Sequence, residues 1–329
     1  MTVSAEKPAA GPLPKKRIPD FFIVGHAKSG TTALYGMLRR HPQIYMPDNK
    51  EPWYFADELR VRAPPRPEGT PKTLDEYLSL FAAAGPEQRV GEASALYLWS
   101  HTAASAIAAV QPAARIVAIL REPASFLRSL HMQFVASYVE TETDLRKALE
   151  LEPARRQGRS IPKHSYWPRT LLYSDHVRYV EQLKRYHAVF PREQVLVLIY
   201  EDFRRDNEAA VRQVLDFLDV DDEHPIDVLE ANPTVAVRSG QLHGLVHAVS
   251  VGRGPVSLAV KGTIKSLTPR RWRHDLLRVT KQRVVYGEVP APDEALMLEL
   301  RRRFEPEVVA LSEFMGRDLV KLWGYDNLA

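Results

Sequence analysis

The chain has 329 residues, enough for one large domain or two ordinary ones. Its 45% apolar and 26% charged residues are globular values that exclude a disordered chain and a fibre. The absence of cysteine excludes disulfide scaffolds, thiol nucleophiles, iron–sulfur clusters and cysteine-ligated zinc. A net charge of +4 suits an anionic ligand but is too small to indicate nucleic acid.

Residues 1–18 read MTVSAEKPAAGPLPKKRI, a Pro/Ala-rich tail with a basic cluster and no apolar segment of the kind a secretory signal needs. The expectation is a flexible tail ahead of one domain over 19–329, in a cytoplasmic protein. Three apolar runs follow: Phe21–Val24, Ile116–Leu120 and Val195–Ile199. Continuous β-branched runs without alternation predict strands buried on both faces. A Gly-containing turn and a helix over Thr32–Arg40 follow the first run. Pro123 opens a helix to about Tyr138 after the second, and a helix over about Asp175–Val189 precedes the third. Strands alternating with helices imply an α/β fold with a central parallel sheet flanked by helices.

Residues 64–71 are a loop by composition, and Arg155–Pro168 is a polar, basic excursion between helices. Residues 253–283 carry nine Lys/Arg against Asp275. That run reads either as a solvated face or as a surface for an anionic acceptor or a membrane. Residues 292–316 are helical again, with Leu296, Leu300, Phe304, Val308 and Leu311 on one stripe.

The first strand runs into Gly25-His26-Ala27-Lys28-Ser29-Gly30-Thr31-Thr32 and a helix. Free amides at a helix N-terminus, with the dipole behind them, form an anion site. Lys28 adds a full charge, Ser29, Thr31 and Thr32 add hydroxyls, and Gly30 lets the backbone close around the anion. The nucleotide-triphosphate motif places its lysine directly after the second glycine, whereas Lys28 precedes Gly30 by two positions. The second strand ends in Arg121, where open α/β sheets bind ligands. Ser129 falls in the second turn of the next helix, and Arg plus Ser suit a separate phosphate.

The AKSGTTAL and ILREPASFLRSL segments together resemble the two cofactor signatures of sulfotransferases that use 3′-phosphoadenosine 5′-phosphosulfate. The eight-residue step from Arg121 to Ser129 has that family's spacing. The resemblance implies a P-loop-like sulfotransferase domain in which Lys28, Ser29, Gly30, Thr31 and Thr32 bind the 5′-phosphosulfate. It likewise implies Arg121 and Ser129 on the 3′-phosphate, and adenosine 3′,5′-bisphosphate as product. Lys50-Glu51-Pro52-Trp53-Tyr54-Phe55 resembles a segment of the carbohydrate-type and bacterial branch, which implies Glu51 as catalytic base. Tyr200-Glu201-Asp202-Phe203 and the closing Gly316-Arg317-Asp318 with Trp323 are similar to that branch as well. The likeness covers about 20–220 and resumes near 296. Residues 235–290 have no match and are expected to form a helical cap or insertion on the acceptor side.

In such a reaction Lys28 stabilises the leaving oxygen and Glu51 takes the acceptor proton; His131 and His101 are lesser candidates for the base. Trp53, Tyr54, Tyr97 and Trp99 lie in segments expected at the same mouth, where aromatic faces suit sugars or flat rings. The acceptor is then a carbohydrate, a glycolipid or a natural-product hydroxyl or amine, with no nucleic acid and with peripheral membrane contact through 253–283 left open. No metal is called for. His243 and His247 are spaced i, i+4 but lack the glutamate of a zinc-protease motif. Two other readings stand beside this one: a P-loop small-molecule kinase, which lacks the Gly-Lys-Ser/Thr order and a strand-terminal aspartate, and a non-enzymatic binder acting through 253–283.

Overall fold

The computed structural model describes residues 17–59, 70–163, 165, 167–228, 236–237, 286–287 and 290–328. The main sheet is built from β1 (Phe21–Gly25), β2 (Ile44–Tyr45), β3 (Arg89–Ala93), β4 (Arg115–Leu120) and β5 (Val195–Ile199). All neighbours are parallel, in the order β2-β3-β1-β4-β5. The helices that follow in chain order are α1 (Thr31–Leu38), α2 (Leu74–Ser79), α3 (Ala103–Val110), α4 (Pro123–Ala136), α5 (Leu145–Glu150) and α6 (Glu152–Arg156). After them come α7 (Tyr173–His176), α8 (Tyr179–His187), α9 (Tyr200–Arg205), α10 (Asn207–Phe217), α11 (Glu294–Met315) and α12 (Leu319–Leu322).

Side chains of a strand alternate between faces, so an uninterrupted apolar strand feeds two cores. Phe22 and Val24 of β1 join a large cluster containing Phe126, Tyr179, Leu183 and the buried stripe of α11. Phe21 and Ile23 join a smaller one with Leu34 and Leu38 of α1 and Val214 and Leu215 of α10. The α/β expectation therefore holds, and all five residues of the predicted α11 stripe are buried. Val195–Ile199 differs from its reading. It is an edge strand, and its first three residues are only half-buried.

Other boundaries also move. The helix expected over about Asp175–Val189 is two short helices, α7 and α8. β2 and β3 lack the apolar run that reveals a strand, because β3 reads RVGEA. Gly91 in its centre is dictated by packing, since a Cβ there would lie 2.1 Å from Phe21 Cζ. Residues 1–16 of the expected tail over 1–18 and most of the expected cap lie outside the described residues. Of the latter segment, Ala236–Val237 pairs antiparallel with Tyr286–Gly287. Among the described residues no helix is long and apolar enough to cross a membrane.

The chain goes from β1 to β2 and β3 on one side, then crosses from β3 to β4 on the other side of β1, so the strand order reverses at β1. A crevice opens at the carboxyl ends of strands where that reversal occurs, and ligands bind there. The turn after β1 and the residue after β4 are Lys28 and Arg121.

Candidate active site

A cavity of about 390 Å³ occupies this place, within the range of small-molecule sites. Its walls include Lys28, Gly30, Thr31, Thr32, Glu51, Trp53, Arg121 and Tyr200. Residues predicted from three separate stretches of sequence thus meet at one opening.

The turn is shaped by backbone constraints. Gly30 has φ +89°, and a Cβ on it would lie 2.8 Å from the Phe203 ring. Conformation and packing both demand glycine there, a stronger reason than room for the anion. No side chain caps α1, and Thr31, Thr32 and Ala33, which carry its first amides, line the cavity. Lys28 is itself left-handed at φ 65°, and its ammonium donates to Gln133 Oε1 at 3.3 Å. Burial holds its pKa below the ordinary lysine value, and the Arg121 charge adds to that depression. An arriving anion favours the charged ammonium and so opposes both effects.

Arg121 is braced on three sides. Its Nε donates to Ser125 Oγ at 3.0 Å and its Nη1 to the Lys28 carbonyl at 2.9 Å, while its guanidinium lies 4.6 Å from the Tyr200 ring centre. The segment behind it is fixed as well. Tyr179 donates to the Arg121 carbonyl, and Glu122 caps α4 through the amides of Ala124 and Ser125. Tyr325 donates to Glu122 at 2.7 Å, and Trp323 donates to Glu201 at 2.8 Å. The chain's last turn therefore supports the arginine from beneath.

Ser29 and Ser129 behave differently from the expectation. Both are buried, and neither lines the cavity. Pro123 starts α4 as predicted, but Ser129 faces inward. Each hydroxyl is left without a hydrogen-bond partner. Buried orphan hydroxyls are costly, and these two fall at the two positions expected to meet phosphate oxygens.

Glu51 sits on a strained loop, with φ 64° at Glu51 and 49° at Trp53, conformations that cost energy in non-glycine residues and cluster at functional sites. The end of β3 holds that loop. Glu51 N–H donates to the Ala93 carbonyl, and Trp53 N–H donates to Ser94 Oγ. The carboxylate receives Lys50 Nζ on Oε1 at 2.6 Å, and on Oε2 the Trp53 indole N–H at 2.9 Å and the Ala95 amide at 3.0 Å. Its orientation is fixed, and Oε1 keeps a lone pair for a proton.

The other base candidates are elsewhere. His131 is buried, and its Nε2 is spent on the Glu142 carbonyl. His101 is exposed and does not line the cavity. Tyr97 and Trp99 belong to the core rather than the mouth. Tyr54 stacks on buried Tyr77 at 4.8 Å. Of the four expected aromatics only Trp53 reaches the wall, and it meets Trp167 edge-on at 4.9 Å. Sequence reasoning missed Trp167, Gln133 and Tyr200 as wall residues; Gln133 lay one turn beyond Ser129 on the same predicted helix. No group of His, Asp or Glu able to hold a metal occurs among the described residues, and His243 and His247 fall outside them.

The model of the sulfotransferase family matches residues 19–224. The chain belongs to the sulfotransferase family. This sulfotransferase is similar to human carbohydrate sulfotransferase 15, with 27% identity over 256 residues, 62% of this chain and 44% of the relative. It is also 24% identical over 294 residues to the membrane-associated sulfotransferase kil1 of Dictyostelium discoideum, over 67% of this chain and 59% of that one. The chain therefore spans roughly half the length of these curated relatives. The solved sulfotransferase from Alicyclobacillus acidocaldarius is 28% identical, with a TM-score of 0.65 over 93% of this chain and 99% of that chain. Membership of this family accounts for the chain without the kinase and binding-module readings, which are set aside.

His26, within the phosphate turn, does not line the cavity. It is fully buried between Phe126 and Tyr179. Gln182 spends its NH₂ on the carbonyls of Asp175 and His176, so its Oε1 accepts from His26 Nε2 at 2.6 Å. Burial, reinforced by nearby His176, lowers the His26 pKa to about 3, and burial lowers that of His176 to about 4. Glu92 at the end of β3 is pushed up by burial to about 7. Below pH 6.5 the unfolded chain protonates both histidines while the native one does not, so acid destabilises. Above pH 4.5 the unfolded chain ionises Glu92 first, so alkali destabilises. Between these limits two protons oppose one, and these three groups make stability rise by about 1.4 kcal/mol per pH unit. Denaturant melts from pH 4.5 to 6.5 should show stability rising with pH, and Glu92→Gln should steepen that rise, because it removes the opposing carboxyl. A flat profile unaltered by Glu92→Gln would refute the assignment.

Proposed function

We propose that this sulfotransferase moves a sulfuryl group from 3′-phosphoadenosine 5′-phosphosulfate to an acceptor hydroxyl or amine. One observation carries the reading: Lys28, the uncapped start of α1, Arg121 and Glu51 line a single cavity. The nucleotide fits on a second count, because the orphan hydroxyls of Ser29 and Ser129 lie on the segments expected at its two phosphate ends. When bound, it supplies the sulfuryl group and a phosphate leaving group. Lys28, Gly30, Thr31 and Thr32 on the wall would hold the 5′ end and Arg121 the 3′-phosphate, and Ser29 and Ser129 would join them once their partnerless hydroxyls turn to the cavity.

In the transfer the sulfur–oxygen bond to the 5′-phosphate breaks and one to the acceptor forms, in line. Negative charge grows on the leaving oxygen, where Lys28 and the α1 amides stabilise it. Glu51 Oε1 takes the acceptor proton, and the bonds from Trp53 and Ala95 keep that carboxylate aimed. No metal is required for these roles.

Calorimetry with adenosine 3′,5′-bisphosphate tests the reading. The parent protein should bind it without metal, in preference to adenosine 5′-phosphate. Arg121→Ala removes a charge-assisted contact worth about 1.5–3 kcal/mol, and the preference should vanish. Because Arg121 also braces the Lys28 carbonyl, both nucleotides should weaken somewhat. Equal weakening with the preference intact would show that the arginine only supports the turn.

A further inference from the structure

Apart from the nucleotide-binding elements, the cavity wall comes from α4's second half, the turn after it, Trp53 and Trp167. Its apolar members are Leu96, Leu130, Phe134 and Val139, together with the Trp53–Trp167 pair. Both indoles are pinned by their own N–H groups, Trp53 to Glu51 and Trp167 to the Leu59 carbonyl at 2.9 Å. Neither has a donor left for an anionic substituent, and the negative face of an aromatic ring repels anions. The cations on the lining are Lys28, Lys50 and Arg121. Lys50 is paired with Glu51, and the other two serve the phosphates. Gln133 spends Oε1 on Lys28, which leaves its NH₂ as a neutral donor at the wall.

We infer that the acceptor is an uncharged ring bearing a hydroxyl, laid by its apolar face on one indole of the perpendicular Trp53–Trp167 pair and against the other at its edge, with the hydroxyl toward Glu51. The inference rests on the sulfuryl-transfer reading. It separates this chain's acceptor from a polyanionic glycan, for which the described wall has no spare cation. Trp53 links the two halves of the site, since the ring that supports the acceptor also donates the hydrogen bond that orients the carboxylate.

The hydroxyl proton passes to Glu51 and the sulfuryl group to that hydroxyl oxygen, with adenosine 3′,5′-bisphosphate released. Transfer from the sulfuryl donor should be compared for 2-naphthol, octyl β-D-glucoside and a sulfated glycosaminoglycan tetrasaccharide. Binding of the first two to protein loaded with adenosine 3′,5′-bisphosphate should be measured by calorimetry. A neutral ring should have the higher kcat/KM, and whether naphthol or glucoside leads tells a flat aromatic acceptor from a sugar. Trp167→Ala should raise the acceptor KM and Kd about tenfold or more, Trp167→Phe should keep them near the parent's, and nucleotide affinity should not move in either. A preference for the tetrasaccharide, no turnover of either neutral ring, or an unchanged KM in Trp167→Ala would overturn the inference. Loss of nucleotide binding in the parent would instead defeat the underlying reading, and the acceptor assignment with it.

Discussion

Glu51→Gln is expected to lower the sulfuryl-transfer rate by at least about a hundredfold while nucleotide affinity stays at the parent value. General-base assistance is typically worth about 10²–10⁴ in rate, and the amide accepts no proton. The local geometry admits the change. Oε2 receives two N–H donors, from Trp53 and Ala95, so the amide oxygen stays there and its NH₂ turns to Lys50. That places donor against donor and releases Lys50 from its ion pair, without disturbing the Lys28 turn or Arg121. Single-turnover rates should therefore fall while calorimetry with adenosine 3′,5′-bisphosphate shows unchanged or slightly tighter binding. Near-normal turnover would take proton acceptance away from this loop. It would not return it to His131 or His101, which lie off the cavity wall.

The parts of this fold readable in the sequence were those whose chemistry is local. A strand buried on both faces announces itself as FFIV or IVAIL, because every position must be apolar. β3 did not, although Val90, Gly91, Glu92 and Ala93 are all buried. Gly91 is there to receive the Phe21 ring from a strand seventy residues away in sequence. Glu92 is a buried carboxyl satisfied in part by Tyr77. Both choices answer to neighbours that no local window contains. The same holds for β5, whose composition resembles an inner strand while its position is the edge.

The site divides along the same line. Lys28, Gly30, Thr31, Thr32, Glu51 and Arg121 stand in short motifs with fixed spacing, and the structure brings them to one cavity. A motif does not say which way a small side chain turns, and Ser29 and Ser129 are buried off its wall. Aromatic content was an equally poor guide. Tyr97 and Trp99 are core residues, whereas Trp167 reaches the mouth from a stretch read only as a basic excursion. Support from Trp323 and Tyr325 reaches Arg121 from the far end of the chain, a relation of tertiary packing alone.

Arg155→Met should unfold the protein more easily by about 3–5 kcal/mol, because it leaves a buried carboxylate without its counter-charge. Composition placed Arg155 at the start of a polar, basic excursion between helices. Instead its side chain is 1% exposed, and that of Glu140 is 0% exposed. Two guanidinium nitrogens reach the carboxylate, at 2.7 and 2.9 Å. Tyr173 and the amides of Thr141 and Glu142 complete the ring of donors around Glu140, and Arg155 also donates to the Ser160 and Leu171 carbonyls. This knot ties the turn after α4 to α6 and α7, and so holds Val139 and Trp167 to the acceptor wall. Well-packed apolar replacements of a buried pair are often tolerated. The double variant Arg155→Met/Glu140→Leu should therefore recover much of the loss, a coupling that a double-mutant cycle reads directly. Urea midpoints for the two single variants and the double provide the test. In Arg155→Met the acceptor KM should rise more than the nucleotide Kd, since the nucleotide elements stand on β1 and β4 while Trp167 hangs from the knot. A single variant as stable as the parent, or a double no better than the single, would show that the pair neither stabilises this segment nor holds that wall in place.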